Sequence, residues 1–496
     1  MSGPAAVTLA RWAAGVRLED VPGPVAELAI SQIVSQLAAI RAGLRHRAGA
    51  ALLGAYGPLD HRDPVRCAPL LAALGSWLNL DDTAYAGHLG PSTVAVPLAW
   101  ARAGRLDGRA LLTAVIVADE CAARITAAAT LGPLRGQSAL HTHLAGGVAG
   151  RMHAERAPAM RWTHALGLAF AAPPWPVMHA FLGSEAKLLH VFTPVRAAMD
   201  ACAAAHAGLT GVPDVFEHPR GFLHRFATVP LPEVITAGLG EQWHTGTLSF
   251  KLRPGGPGID AAVDCALELH RELDGAPITG VTVAASAYTL YAGRQAEDYL
   301  DAGRSPLSAL LLSVGYPVAT ALLTGDLRVT DFEPPGVTDP RRWALAERIR
   351  LVHDERMTRA LLTSTAPFGA AVRLARDRAL PWLSGLVGDE LAAQAVAGAA
   401  AVTPDMATPD LATPDKATPA RLTVQLADGR TRTAERTVPL GAAGADTRAR
   451  HRELVCAKFV AQGGSAAVAA RFDDLATLSA SEVTELIDAA LAGPRR

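Results

Sequence analysis

The chain has 496 residues, half of them apolar and 5% aromatic, with a formal net charge of −1 and an isoelectric point near 7.0. This length holds two or more domains, and the alanine-rich composition leans helical. The balanced charge excludes a protein that works through a basic nucleic-acid- or membrane-binding face. Cys67, Cys121, Cys202, Cys265 and Cys456 are scattered, odd in number and without metal-ligand spacing, which argues against a disulfide framework and for a reducing cytoplasm. Arg11, Arg17, Glu19 and Asp20 interrupt any apolar leader, so no signal peptide is expected. Residues 1–77 read as helices. Leu28, Ile30, Ile33, Val34, Leu37 and Ile40 fall close to one face of a helix over 25–42, whose start Pro22 and Pro24 mark.

The polar focus follows, Leu78-Asn-Leu-Asp-Asp-Thr-Ala-Tyr-Ala-Gly-His88. Gly87 and Gly90-Pro91 bracket His88 and place it on a turn. Ser92-Thr93 open a helix over 94–103, so His88 projects ahead of a helix start, a place receptive to carboxylate or phosphate. A histidine there suits acid/base work. The residues by themselves fit the plainer alternative better, in which Asp82 and Thr83 are caps and His88 is a solvated loop residue. Asp107 is a fitting N-cap for a helix over 109–125, in which Glu120 and Arg124 can pair one turn apart as structural support.

Leu140-His-Thr-His-Leu-Ala-Gly-Gly147 is a second polar island. Its histidines have no Asp or Glu between residues 135 and 153, so no metal is expected. The uncharged run 163–184 contains Pro173, Pro174 and Pro176, is ill suited to a bilayer and reads as buried structure. Lys187 lies in the first turn of a helix over 185–207, where a cation opposes the helix dipole. An anion bound at that helix start would explain it; so would an exposed lysine paired with Glu185 or Glu217. Helices are predicted over 260–273 and 307–323, strands over 278–283 and 349–352, and an Asp-Gly hairpin over 421–433. An Ala-Thr-Pro-Asp repeat with proline at every fifth position precedes the hairpin and reads as a solvated surface insertion of no catalytic weight. Ser479 to Glu482 form a capping box for a last helix. The fold class is therefore mainly α: a large all-helical domain (1–252 and 439–496) with an inserted smaller α+β lid domain (253–438) that carries the repeat at 402–420.

The stretch Asp81-Asp-Thr…His88 resembles the corresponding segment of the MmgE/PrpD family, which includes 2-methylcitrate dehydratase, cis-aconitate decarboxylase and iminodisuccinate epimerase. Pro97-Leu-Ala-Trp, Leu106-Asp-Gly-Arg-Ala-Leu-Leu, Ala118-Asp-Glu-Cys-Ala-Ala-Arg124, Gly183-Ser-Glu-Ala-Lys-Leu-Leu-His190, Ile259-Asp-Ala-Ala262, Tyr316-Pro-Val-Ala319 and Lys458-Phe459 follow in the family's order. The resemblance spans most of the chain. It implies a cleft between the two domains, no metal and a homodimer, with a small molecule as substrate and neither nucleic acid nor membrane as partner. It also implies a catalytic set of His88, Lys187, Lys251 and Tyr316. Asn79, Asp82, Thr83, His141 and Arg253 complete the site as substrate-binding residues, with Asp82 and Thr83 orienting His88. For His141 and Tyr316, core packing is an equal alternative.

The sequence also departs from the family. Leu252-Arg-Pro-Gly-Gly-Pro-Gly258 replaces a segment that carries Cys/His and His, leaving Arg253 as a carboxylate clamp that cannot exchange protons. Asn79 stands where aspartate is common, Phe192 where glycine is, and the Thr83-to-His88 spacing is one residue short. No glycine-rich phosphate loop follows a strand, so no cofactor is expected. The resemblance thus implies a cofactor-free lyase or isomerase, acting next to a carboxylate on a changed substrate. The alternatives are a scaffold that cyclises or isomerises a larger biosynthetic intermediate, and a non-catalytic homologue.

Overall fold

The computed structural model describes residues 3–132, 140–175, 177–256, 258–273, 275–400 and 414–492. The protein is mainly α, with two small sheets. The largest core lies among the helices Gly23–Arg45, Pro64–Ser76, Gly108–Ala128, His141–Ala154 and Lys187–His206, with Ala445–Ala461 closing one side. Gly23–Arg45 begins behind Pro22, with Pro24 in its first turn. It is long and apolar enough to cross a membrane, yet 72% of its apolar window is buried inside the protein. Gln32, Ser35 and Gln36 are buried on it together with the apolar face, which already directs polar groups toward the site.

Asp107 caps Gly108–Ala128 through the Ala110 N–H at 2.8 Å. Glu120 and Arg124 are fully buried on that helix, 3.3 Å apart. Glu120 also accepts from the Thr245 N–H and hydroxyl, and Arg124 donates to the Ala237 and Gln242 carbonyls. Removing one member leaves the other charged and unpaired. Glu120→Ala is therefore expected to lower unfolding free energy by about 3–5 kcal/mol, read from denaturant melts; a loss below about 1 kcal/mol would contradict this placement.

A second core surrounds a four-stranded sheet in the order β5-β4-β6-β7. Its strands are β4 (Ile278–Ala285), β5 (Ile349–His353), β6 (Ala420–Leu426) and β7 (Thr431–Arg436), with β5 parallel and β6 antiparallel to β4. Gly429, at φ +86°, makes the β6–β7 turn that the Asp-Gly pair predicts. The helix expected over 307–323 is two, Leu307–Leu312 and Gly315–Thr324. In a continuous helix the Pro317 ring would meet the Ser313 carbonyl, so the chain breaks there.

Two further expectations need correction. Only the Ala159–Ala169 helix buries much of the uncharged run, since Trp175 and Val177 are exposed. Residues 401–413 of the repeat lie outside the described residues, but the part that follows is not solvated: Lys416, Ala417 and Thr418 are buried. Proline does keep this segment extended. Its backbone then finds partners instead of water, with the Asp415 carbonyl accepting from Ala366 N–H at 2.9 Å and the Lys416 N–H donating to the Ala443 carbonyl at 2.9 Å.

Candidate active site

The site is built on the smaller sheet, β2-β1-β3, formed by β1 (Asp82–Ala84), β2 (Gly87–His88) and β3 (Ser249–Phe250). His88 is thus held in a strand and not on a free turn. Thr83 stands opposite both His88 and Ser249 in the antiparallel register. Opposed residues share a face, as do residues two apart. One face therefore gathers Asp81, Thr83, His88, Ser249 and Lys251, although the chain brings them from segments far apart. Two glycines make this possible. A side chain at Gly87 would lie 2.6 Å from Thr126 Cγ2, and one at Gly90 would lie 2.2 Å from Asp82 Oδ2.

Asp81 is the centre of this face. Its Oδ2 lies 2.5 Å from His88 Nδ1, and its Oδ1 accepts from Lys251 Nζ at 3.0 Å. Burial alone would raise the Asp81 carboxyl. His88 and Lys251 outweigh it and hold the group well below the usual carboxylate range. Lys251 Nζ is also 3.3 Å from His88 Nδ1, but an ammonium has no lone pair and Asp81 is the closer and charged partner. We therefore assign the Nδ1 proton to the Asp81 bond, which leaves the Nε2 lone pair outward. Burial lowers the His88 pKa below its ordinary value; Asp81 opposes this, while Lys251 and Lys187 reinforce it. The side chain remains 28% exposed, while the Asp81 side chain behind it is fully buried.

Lys187 begins its helix fully buried, not as an exposed lysine. Its Nζ donates to the carbonyls of Ser76 and, at 2.9 Å, Trp77, the open C-terminal end of Pro64–Ser76. Lys187 lies close enough to Asp81 and His88 to act on both charges. Burial pushes its pKa down to about 7, with Asp81 opposing and Lys251 adding. The unfolded chain keeps that proton up to about pH 10.4. Across pH 7 to 8.5 the unfolded state therefore binds more protons at this position, and stability gained there rises with pH. Lys187→Met is expected to reduce the slope of unfolding free energy between pH 7 and 8.5, by at most about 1.4 kcal/mol per pH unit. Denaturant melts at several pH values read it, and an unchanged slope would contradict the buried titrating ammonium.

His143 and His190 stand near this group, their rings 6.5 Å apart, and burial lowers both. Behind β1, Lys458 Nζ donates to Ser35 Oγ at 2.8 Å and to the Leu80 carbonyl; burial pushes it down to about 7, against Asp82 and Asp81. Lys416 Nζ donates to Thr83 Oγ1 at 2.7 Å.

Several expected site residues lie elsewhere. Asp82 points to the opposite face, where its Oδ1 accepts from Gln32 Nε2 at 3.1 Å and from Gly90 N–H at 3.0 Å, so it does not orient His88. Asn79 is buried in a left-handed turn at φ 50°, its N–H on the Ser76 carbonyl. The Tyr316 hydroxyl donates to the Asp331 carbonyl, and its ring packs on Trp343 in the second core, away from the cluster. Arg253 is paired with Asp264 at 2.8 Å, so the carboxylate it clamps belongs to the protein. It lines an open cavity of about 730 Å³ with Arg45, His46, Glu333 and Lys458. His141 packs on Phe226 and Phe222, and neither ring nitrogen has a hydrogen-bond partner among the described residues. Phe192 packs on Tyr56 in the helical core, ring centroids 4.3 Å apart.

Sequence reasoning missed Asp81 as the partner of His88, and Lys416 altogether. For Asp81 the signal existed: read as a strand, 81, 83 and 88 share a face. Among the described residues no group of three or more His, Cys, Asp or Glu side chains could hold a metal ion. Chemically, the face offers an imidazole with a free lone pair backed by a carboxylate, flanked by three buried ammoniums.

The sequence models described as the MmgE/PrpD N-terminal domain and the MmgE/PrpD C-terminal domain match residues 7–234 and 256–379. No curated protein matches the chain.

Proposed function

Since the chain belongs to the MmgE/PrpD family, which supports a dehydratase- or lyase-type activity in general, we propose that it abstracts a proton next to a carboxylate on a small organic acid. In this reading His88 Nε2 takes the proton and Asp81 stabilises the imidazolium that forms. Lys187 and Lys251 hold the substrate carboxylate and the charge that spreads onto it. Departure of hydroxide from the neighbouring carbon gives a lyase, and return of the proton to the other face gives an isomerase; loss of carbon dioxide leaves its electron pair on carbon and requires the His88 imidazolium to give a proton back to the substrate. All these roles are filled by side chains of this chain. The observation that carries the reading is the 2.5 Å contact of Asp81 with His88 Nδ1, beside Lys251 at 3.0 Å, which orients the imidazole with its lone pair outward. The cationic lining favours a carboxylate over a larger, less charged intermediate.

The test is incubation in D2O with small di- and tricarboxylates, including methylcitrate, cis-aconitate and iminodisuccinate. Deuterium is expected at the carbon beside a carboxylate of at least one of them, and the exchange should disappear in His88→Gln. Exchange that persists in the variant, or none with any acid, would overturn the proposal. The protein is also proposed to act in the cytoplasm as a homodimer, which light scattering of the purified chain tests.

A further inference from the structure

Thr83 is buried and faces the same side of the sheet as His88. Its hydroxyl accepts from Lys416 Nζ at 2.7 Å. An ammonium has only donors, so the Thr83 oxygen must accept and its own proton must point elsewhere. Among the described residues the structure gives that proton no protein acceptor. Beside it lies a small cavity of about 20 Å³, whose lining includes Thr83, Lys251, Asp260, Lys416 and Thr418. That is room for about one oxygen-sized group.

Lys416 is not there by chance of a loose segment. Asp415 just before it accepts from the Ala366 N–H and, through Oδ1, from the Thr365 N–H at 2.8 Å. Arg448 Nη1 donates to the Pro414 carbonyl at 2.6 Å. Residues 414 and 415 are thus held by Thr365, Ala366 and Arg448, and Lys416 beside them reaches Thr83.

We propose that Lys416 is a positioning residue that turns the Thr83 hydroxyl into a charge-polarised donor for a substrate oxygen lodged in this cavity. The inference rests on the carboxylate reading above. When His88 removes a proton, negative charge grows on the carboxylate oxygens. A donor fixed beforehand stabilises that charge without reorganising. Lys416 acts only through Thr83. Asp260 also lines the cavity; burial raises its carboxyl to about 6, so its charge is readily given up where an anion enters.

The experiment uses the full-length protein, methyl-labelled at threonine and read by NMR. Without ligand, the Thr83 methyl is expected to titrate with Lys416, which burial pushes down to about 8 with Lys251 adding and Asp260 and Asp81 opposing. In Lys416→Met, or in Lys416→Gln should the first variant fold poorly, this titration should vanish while other threonines are unchanged. Citrate, as the probe, should move the Thr83 and His88 resonances together. On a turned-over acid, Lys416→Met and Thr83→Val should each lower kcat about tenfold or more, the double variant no further, and Lys416→Arg should recover part. A Thr83 methyl that is flat in the wild type, a titration surviving in Lys416→Met, or additive losses would overturn the inference alone. Citrate moving none of the site's resonances would sink the carboxylate reading and the inference with it.

Discussion

His88→Gln is expected to lower kcat on any carboxylate the protein turns over by about 10²–10⁴-fold, with the fold intact. The size follows from what the side chain does. Among the described residues its Nε2 has no protein hydrogen-bond partner, whereas Lys187, Lys251 and Lys416 are each engaged as donors. Glutamine can keep a hydrogen bond to Asp81 but supplies no base. Because His88 is 28% exposed, its loss opens no sealed cavity and stability should change little. Substrate binding through the ammoniums should persist, so KM should move far less than kcat. Steady-state kinetics with a denaturant melt of the same sample check this; a kcat within tenfold of the parent would contradict it.

Asp81→Asn is expected to affect stability and turnover together. The carboxylate is fully buried and carries both the Lys251 ammonium and the His88 N–H. An amide leaves Lys251, itself 5% exposed, without the carboxylate it is hydrogen-bonded to. Breaking such a pair costs about 3–5 kcal/mol. The amide NH2 can also donate to Nδ1 and drive the imidazole into the wrong tautomer, an effect worth up to about 10⁴-fold in kcat in enzymes of similar logic. The pH dependence has a definite sign. The folded carboxyl lies below its unfolded value of about 3.9. Its contribution is therefore complete above pH 4 and is lost as pH falls further. The stability gap between wild type and Asp81→Asn should be widest at neutral pH and narrow below pH 4. A gap constant from pH 3 to 7 would contradict the charge assignment.

The helical part of this fold was largely legible because its signals are long. Asp260–Leu273 runs between the expected bounds, and the β6–β7 hairpin follows its Asp-Gly turn. His88 and Lys187 stood out because titratable or charged groups at element ends need a reason, and Lys251 through the resemblance to the family alone. The signal that separates Asp81 from Asp82 is strand alternation over three residues, present but too short to register as a pattern. Lys416 was hidden for a different reason. Proline-rich repeats read as solvated, and only distant partners, Ala443, Ala366 and Arg448, decide that this part is buried. Tyr316 and Arg253 likewise found partners, Asp331 and Asp264, that no local spacing reveals.

The central claim is the protonation state of one imidazole, and 15N NMR of ring-labelled histidine measures it directly. In the resting protein at pH 7.5, His88 is expected to show a protonated Nδ1 and an unprotonated Nε2, changing in Asp81→Asn. A protonated Nε2 with Nδ1 accepting from Lys251, or a doubly protonated ring, would contradict the account.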